Sequence, residues 1–191
     1  MLSSHPRLHV PDETGFLPFL ETDPRADLDP TAVSSLLQRI GERNRFWDGL
    51  VSDEAAFYAR LPVPTLPFVL DALYRLQIPP DTPRWGDKTP SYVQYIAQIQ
   101  AIFPRAQFIH LIRDGRDAAL SARAKWGQAK PYMDLSDLLR NWVRNVQAGR
   151  STGHQLGPQS YYEVRYETLI TDPAGTLQAL CTYLGETYDP A

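Results

Sequence analysis

A single cysteine, Cys181, is all that the 191-residue chain offers to sulfur chemistry. It excludes an intramolecular disulfide and any cysteine-based metal cage, and it fits a reducing compartment. Long apolar runs are missing as well. The longest, such as Phe108-Ile109-His110-Leu111-Ile112, are of strand length, far short of the ~20 residues of a membrane span. No basic start leads into an apolar run, so no signal peptide is read. These absences predict a cytoplasmic protein without a membrane partner. Nor does one sign of charge prevail: 19 Lys and Arg against 22 Asp and Glu leave a net charge of −3. That argues against nucleic acid as a partner and makes any anion site a local cluster. The four histidines His5, His9, His110 and His154 have no ligand spacing with one another or with Cys181, so no metal is expected. A Gly-x-Ser-x-Gly elbow, a Walker A loop and a Gly-x-Gly-x-x-Gly turn are all absent. There is no internal repeat.

What is present is an ordinary globular composition, 43% apolar and 21% charged, which predicts one domain over 1–191. Seventeen prolines imply many short connections. Leu8-His9-Val10 is a short strand candidate. Asp29-Pro30-Thr31 reads as a helix start, followed by Val33, Leu36, Leu37 and Ile40 at helical spacing. A short helix is expected from Ser52-Asp53-Glu54 through Arg60, and a third after Pro67 with Val69, Leu70, Leu73 and Leu76 on one face. Thr89-Pro90 opens a helix that carries Tyr92, Tyr95, Ile96, Ile99, Ile102 and Phe103 to Pro104. Residues 106–112 then read as a strand buried on both faces, and 118–126 as helix. Leu135, Leu138, Leu139, Trp142, Val143 and Val146 mark an amphipathic helix, 161–164 a second strand, and Leu177, Leu180, Cys181 and Leu184 a last helix. This order implies an α/β fold with a parallel sheet flanked by helices.

In open parallel sheets, ligands bind beyond the carboxyl ends of strands, where the next helix begins. Arg113-Asp114-Gly115-Arg116-Asp117 has that place. A guanidinium there can grip a phosphate with two hydrogen bonds, and the following helix start adds amide donors. Ser121 can add a hydroxyl, although ideal helix geometry does not bring it and Arg113 to one anion. The competing reading of this run is a solvated, self-paired helix start. Glu13 follows the first strand candidate and suits a general base toward a hydroxyl; taken by itself, it reads more readily as an exposed acid capping a turn. Lys88, in Gly86-Asp87-Lys88-Thr89-Pro90, can set a positive charge where negative charge develops, or simply be solvated. Tyr166 and Glu167, after the second strand, read as a ligand contact or as sheet-edge packing.

The order of these signals is more telling than any one of them. The run from Phe103 through Asp117, with Ser121 eight residues past Arg113, resembles the 3′-phosphate-binding segment of the sulfotransferases. Those enzymes use 3′-phosphoadenosine 5′-phosphosulfate (PAPS). Tyr166-Glu167-Thr168-Leu169 with Asp172-Pro173 and Tyr183-Leu184-Gly185 is similar to a second family segment. Met1 to Pro6, Pro11 to Thr14 and Gly86 to Pro90 resemble the tyrosylprotein sulfotransferase-like and bacterial branch. The resemblance implies a P-loop NTPase-like fold and sulfuryl transfer from PAPS to a hydroxyl acceptor, whether small molecule, sugar or peptide tyrosine. It implies Glu13 as catalytic base and Lys88 as the group that stabilises the leaving side. Arg113, Ser121 and Lys125 would hold the 3′-phosphate and Tyr166 the nucleotide, with no metal. The family's phosphosulfate loop is not among these residues. The sequence-based expectation is therefore a domain incomplete at both ends and inactive by itself. A kinase-like nucleotide enzyme and a non-catalytic remnant domain are the alternatives.

Overall fold

The computed structural model describes residues 2–126 and 134–189. Residues 1, 127–133 and 190–191, among them Met1 of the first segment compared above, lie outside the described set. In chain order the elements are β1 (Leu8–His9), α1 (Pro30–Arg43), α2 (Glu54–Ala59), α3 (Leu66–Arg75), β2 (Arg84–Trp85) and α4 (Ile96–Ile102). There follow β3 (Phe108–Ile112), α5 (Gly115–Trp126), α6 (Leu135–Leu156), β4 (Tyr161–Arg165), α7 (Tyr166–Thr171) and α8 (Pro173–Leu184). Among the described residues no helix is long and apolar enough to cross a membrane. The parallel α/β character expected from the sequence is realised in two short parallel sheets, one in each of two compact units, Met1–Pro104 and Arg105–Ala191.

Aspartates start several helices. Asp29, Asp53 and Asp172 each accept a hydrogen bond from the amide three residues on, at 2.8, 2.9 and 2.9 Å, a cap that stabilises a helix by about 1 kcal/mol. In the first unit, β1 pairs with β2 in parallel, Leu8 opposite Arg84 and His9 opposite Trp85. The amide of Gly86 extends the ladder to the His9 carbonyl at 2.9 Å. Beside this ladder the aromatic rings are layered. Tyr74 stacks on Trp85 with centroids 3.9 Å apart, and Trp47 meets Tyr74 edge-on at 4.8 Å. Phe16, Leu36, Ile40, Leu66, Leu70 and Leu73 fill the core.

Two sequence-based expectations change here. The buried face of α3 ends in Tyr74, while Leu76 is exposed. The helix expected from Thr89 to Phe103 is split: residues Pro90–Gln94 form a tighter 3-10 turn, Tyr95 leaves helical geometry, and α4 begins at Ile96. A tertiary contact overrides the apolar period at this point, because the Tyr92 hydroxyl is held by Thr14 and by the Leu17 amide.

In the second unit β3 and β4 pair in parallel from Phe108 opposite Tyr161 to Ile112 opposite Arg165. The expectation that β3 is buried on both faces does not hold, since Leu111 is 51% exposed and Ile112 alone is fully buried in the strand. Among the described residues β3 has one hydrogen-bonded neighbour, β4, rather than two. Helix α6 lies close beside this sheet at Gly153. A side chain at Gly153 would run into the Tyr161 ring, its Cβ only 2.2 Å from Cδ2.

Candidate functional site

Parallel pairing sets the neighbours at the carboxyl end of each ladder. With Ile112 opposite Arg165, the next residues are Arg113 and Tyr166. The Arg113 guanidinium lies over the Tyr166 ring, 5.0 Å from its centroid, a cation–π contact that pre-positions a flexible side chain. The turn that carries it is held from both sides. The Trp142 indole N–H donates to the Arg113 carbonyl at 3.1 Å, and the Asp114 amide donates to Glu167 Oε1 at 2.7 Å. That bond is the leading reason why the Glu167 carboxyl is held below its ordinary range. Gly115 is required here, as a Cβ would sit 2.9 Å from the Trp142 ring.

The self-paired reading of the charged run applies to two of its residues. Asp114 accepts from the Arg116 amide at 2.9 Å and from its guanidinium at 3.1 and 2.9 Å. Chiefly through that side-chain bond, the Asp114 carboxyl is pulled down to about 2. Arg113 stands apart from this pairing. Ser121 and Lys125 lie on the exposed side of α5, one helical turn apart. The structure thus brings Arg113 to Tyr166, and sets Ser121 beside Lys125 on one helix.

The first unit repeats the arrangement. With His9 opposite Trp85, β1 runs on into Pro11-Asp12-Glu13-Thr14 and β2 into Gly86-Asp87-Lys88-Thr89. The Lys88 ammonium forms an ion pair with Glu13 Oε1, both side chains more than half exposed. Beneath this pair sits a polar network that the sequence reading does not contain. Asp87 Oδ2 accepts hydrogen bonds from the hydroxyls of Thr14 and Tyr74, and Oδ1 accepts from Thr89 at 2.8 Å. The Thr14 amide donates to Thr89 Oγ1 at 3.1 Å. The single Thr14 proton points to Asp87, so the 2.6 Å contact between Thr14 Oγ1 and Tyr92 has Tyr92 as donor. The Tyr92 oxygen in turn accepts from the Leu17 amide at 3.1 Å. The Asn44 side chain donates to the carbonyls of Glu13 and Thr14 at 2.9 and 3.0 Å. Gly15 follows with φ of 72°, a conformation suited to glycine, and turns Phe16 into the core.

Thr14 is 3% exposed and Tyr74 fully buried. Burial raises the Asp87 carboxyl above its ordinary value, the three hydroxyl donors opposing it. Burial, followed by the Asp87 charge, pushes the Tyr92 phenol up to about 12. A sequence signal for this network exists: a tyrosine on an apolar stripe, such as Tyr92, needs a partner for its hydroxyl once buried. Among the described residues no group of three or more His, Cys, Asp or Glu is placed to hold a metal ion.

The chain matches the Sulfotransferase family over residues 1–190. An uncharacterized protein of Aquifex aeolicus (strain VF5) is 27% identical over 188 residues, covering 96% of this chain and 23% of its own length. The omega-hydroxy-beta-dihydromenaquinone-9 sulfotransferase Stf3 of Mycobacterium bovis is 33% identical over 107 residues, 51% of this chain and 28% of that protein. The chain therefore spans about a quarter of the length of these curated relatives. Among solved structures, the sulfotransferase domain of the curacin biosynthetic pathway superimposes with a TM-score of 0.65 at 20% identity, covering 99% of this chain and 69% of that one. The sulfotransferase domain of the Synechococcus PCC 7002 olefin synthase gives 0.62 at 22% identity, covering 98% and 67%. These likenesses carry the fold, that of the sulfotransferases with its P-loop-like sheet.

Proposed function

We propose, from the premise that this chain belongs to the sulfotransferase family, that its residues serve sulfuryl transfer from PAPS to a hydroxyl acceptor. The observation that carries this reading is the Arg113 turn. A guanidinium poised over Tyr166, at the end of a parallel strand and the start of α5, is fitted to a terminal phosphate. In this reading Arg113 binds the donor's 3′-phosphate, Ser121 and Lys125 assist from α5, and Tyr166 lies against the nucleotide. The fit is chemical: the site offers a guanidinium held over an aromatic ring, and the neighbouring acids Asp114 and Glu167 are already engaged by Arg116 and by the Asp114 amide.

In the first unit Glu13 acts as the base that takes the proton of the acceptor hydroxyl. Lys88 supplies the positive charge on the leaving-group side. Sulfuryl transfer resembles phosphoryl transfer in leaving little covalent work to the protein, so positioning and charge carry the catalysis. The acceptor class is a hydroxyl compound; the Stf3 relative is named for a hydroxylated menaquinone. The protein's location in this reading is the cytoplasm, and residues 1–191 form part of one sulfotransferase domain.

The test compares 3′-phosphoadenosine 5′-phosphate (PAP) with 5′-AMP by calorimetry on the full chain. Charge-assisted bonds to a phosphate are worth about 1.5–3 kcal/mol, so PAP binds roughly 10- to 150-fold more tightly. Equal affinities for the two nucleotides refute the reading. Preference for ATP with magnesium over PAP favours a kinase-like enzyme instead.

A further inference from the structure

We propose that Asp87 is a positioning residue for the Glu13–Lys88 pair: its carboxylate gathers hydroxyls from three parts of the first unit and thereby fixes the two loops against each other. The roles of Glu13 and Lys88 are those of the preceding section, and the inference rests on that reading. The structural argument is independent of the reaction. Asp87 immediately precedes Lys88, and Thr14 immediately follows Glu13. The Thr14 hydroxyl donates directly to Asp87. One hydrogen bond therefore ties the neighbours of the two candidate catalytic residues together across 73 positions of sequence. Tyr74 ties the same carboxylate to α3 in the core, and Thr89 closes the other oxygen.

The donors leave a carboxylate as the group that suits this place. Thr89 already accepts from the Thr14 amide, and Thr14 already accepts from Tyr92. Each hydroxyl has one proton: Thr14 and Thr89 direct theirs to Asp87, and so does Tyr74, whose other acceptor, Thr14 Oγ1, lies farther off at 3.4 Å. An ionised carboxylate accepts from all three. An asparagine puts an NH2 where at least one of those protons points, and two donors then face each other. A buried polar network missing one acceptor is costly, and the structure relaxes by moving the least anchored piece. Asn44 holds the Glu13 and Thr14 carbonyls, so the piece that moves is the turn that carries Asp87 itself and, with it, Lys88. The Glu13 and Lys88 side chains are both more than half exposed, so their encounter depends on the backbone beneath them rather than on packing around them.

The pair can be followed at Lys88 itself. The chain has three lysines, Lys88, Lys125 and Lys130. Reductive methylation with 13C-formaldehyde therefore gives few NMR signals, and Lys88→Arg assigns the one needed. In the otherwise native chain at pH 7, Glu13→Gln moves the chemical shift of the methylated Lys88 signal, because the carboxylate that pairs with its ammonium is gone. In Asp87→Asn, folded by circular dichroism, Glu13→Gln no longer moves it. Thr14→Val, which removes one donor and keeps the shape, shows the same loss and decides the matter if Asp87→Asn does not fold. A native chain in which Lys88 ignores Glu13→Gln overturns the proposal. So does a folded Asp87→Asn, or Thr14→Val in its place, in which the full shift persists.

A second readout applies where the native chain transfers sulfate from PAPS. There Asp87→Asn lowers kcat by about 10²-fold, as expected for misplacement of reacting groups, with the dissociation constant for PAP unchanged. A matching loss of PAP affinity overturns the positioning role. If the native chain transfers no sulfate, that result counts against the transfer reading, and the Lys88 signal still decides the role of Asp87.

Discussion

Gly153→Ala places a methyl group inside the Tyr161 ring. The new Cβ would lie 2.2, 2.3 and 2.4 Å from Cδ2, Cε2 and Cγ, whereas carbon atoms rest about 3.5–4.0 Å apart. The ring must therefore retreat by more than about 1 Å. Tyr161 is 6% exposed, and its hydroxyl lies 2.6 Å from His110 Nδ1 and 3.0 Å from Glu163 Oε1. Overpacking a core costs roughly 1–3 kcal/mol, and each hydrogen bond strained away adds about 1 kcal/mol. Against this, alanine in a helix interior is better than glycine by about 1 kcal/mol. The balance is a loss of roughly 2–4 kcal/mol, which lowers the melting temperature by about 4–16 °C for a chain of this size. Differential scanning calorimetry reads the shift directly. In a Tyr161→Ala background the same substitution meets no ring, and helix propensity then makes it neutral or stabilising by up to about 1 kcal/mol. A Gly153→Ala chain that melts higher than the native one refutes the reasoning.

Three further outcomes are expected. Glu163 is held below the ordinary carboxyl range chiefly by the Arg150 guanidinium, at 2.9–3.2 Å. A lowered folded value means stability that is present above the unfolded value of about 4.3 and lost as pH falls through the folded one. Melting temperatures should show native protein above Glu163→Gln by about 1–4 °C at pH 6, the gap closing toward pH 3; a gap independent of pH contradicts this. Trp142→Phe removes the donor to the Arg113 carbonyl, so it should cost about 1 kcal/mol in urea unfolding and weaken PAP binding several-fold. Asp29→Ala removes the cap of α1 and should cost about 1 kcal/mol by the same urea measurement, with PAP affinity unchanged.

The fold was legible wherever local chemistry decides. The caps at Asp29 and Asp53 stand at or beside the expected starts, and β1, β3 and β4 are found where the short β-rich runs predict them. The places that differ are places where a tertiary partner wins. Tyr92 breaks its helix because its hydroxyl is wanted by Thr14. Strand β2, two residues long, carries no pattern of its own and exists because β1 pairs with it. Gly153 stands on the buried side of α6 because that helix comes too near Tyr161 for a side chain there.

Of the candidate residues, two pairs meet because strand register dictates it. Arg113 and Tyr166 follow directly from Ile112 opposite Arg165, and Glu13 and Lys88 from the β1–β2 pairing. Register is a relation between distant segments, and no local pattern states it. Asp87 carries no local signal for a related reason. Its partners Thr14 and Tyr74 lie 73 and 13 residues away, and a carboxylate in a turn looks solvated until those hydroxyls are placed around it.

The central claim is that the Arg113 turn holds the terminal phosphate of a 3′-phosphorylated nucleotide. Isothermal titration of PAP into the native chain and into Arg113→Ala tests it most directly. The account predicts binding by the native chain and a loss of roughly 10- to 150-fold in Arg113→Ala, with 5′-AMP affinity the same in both. Equal PAP affinity in the two chains contradicts it.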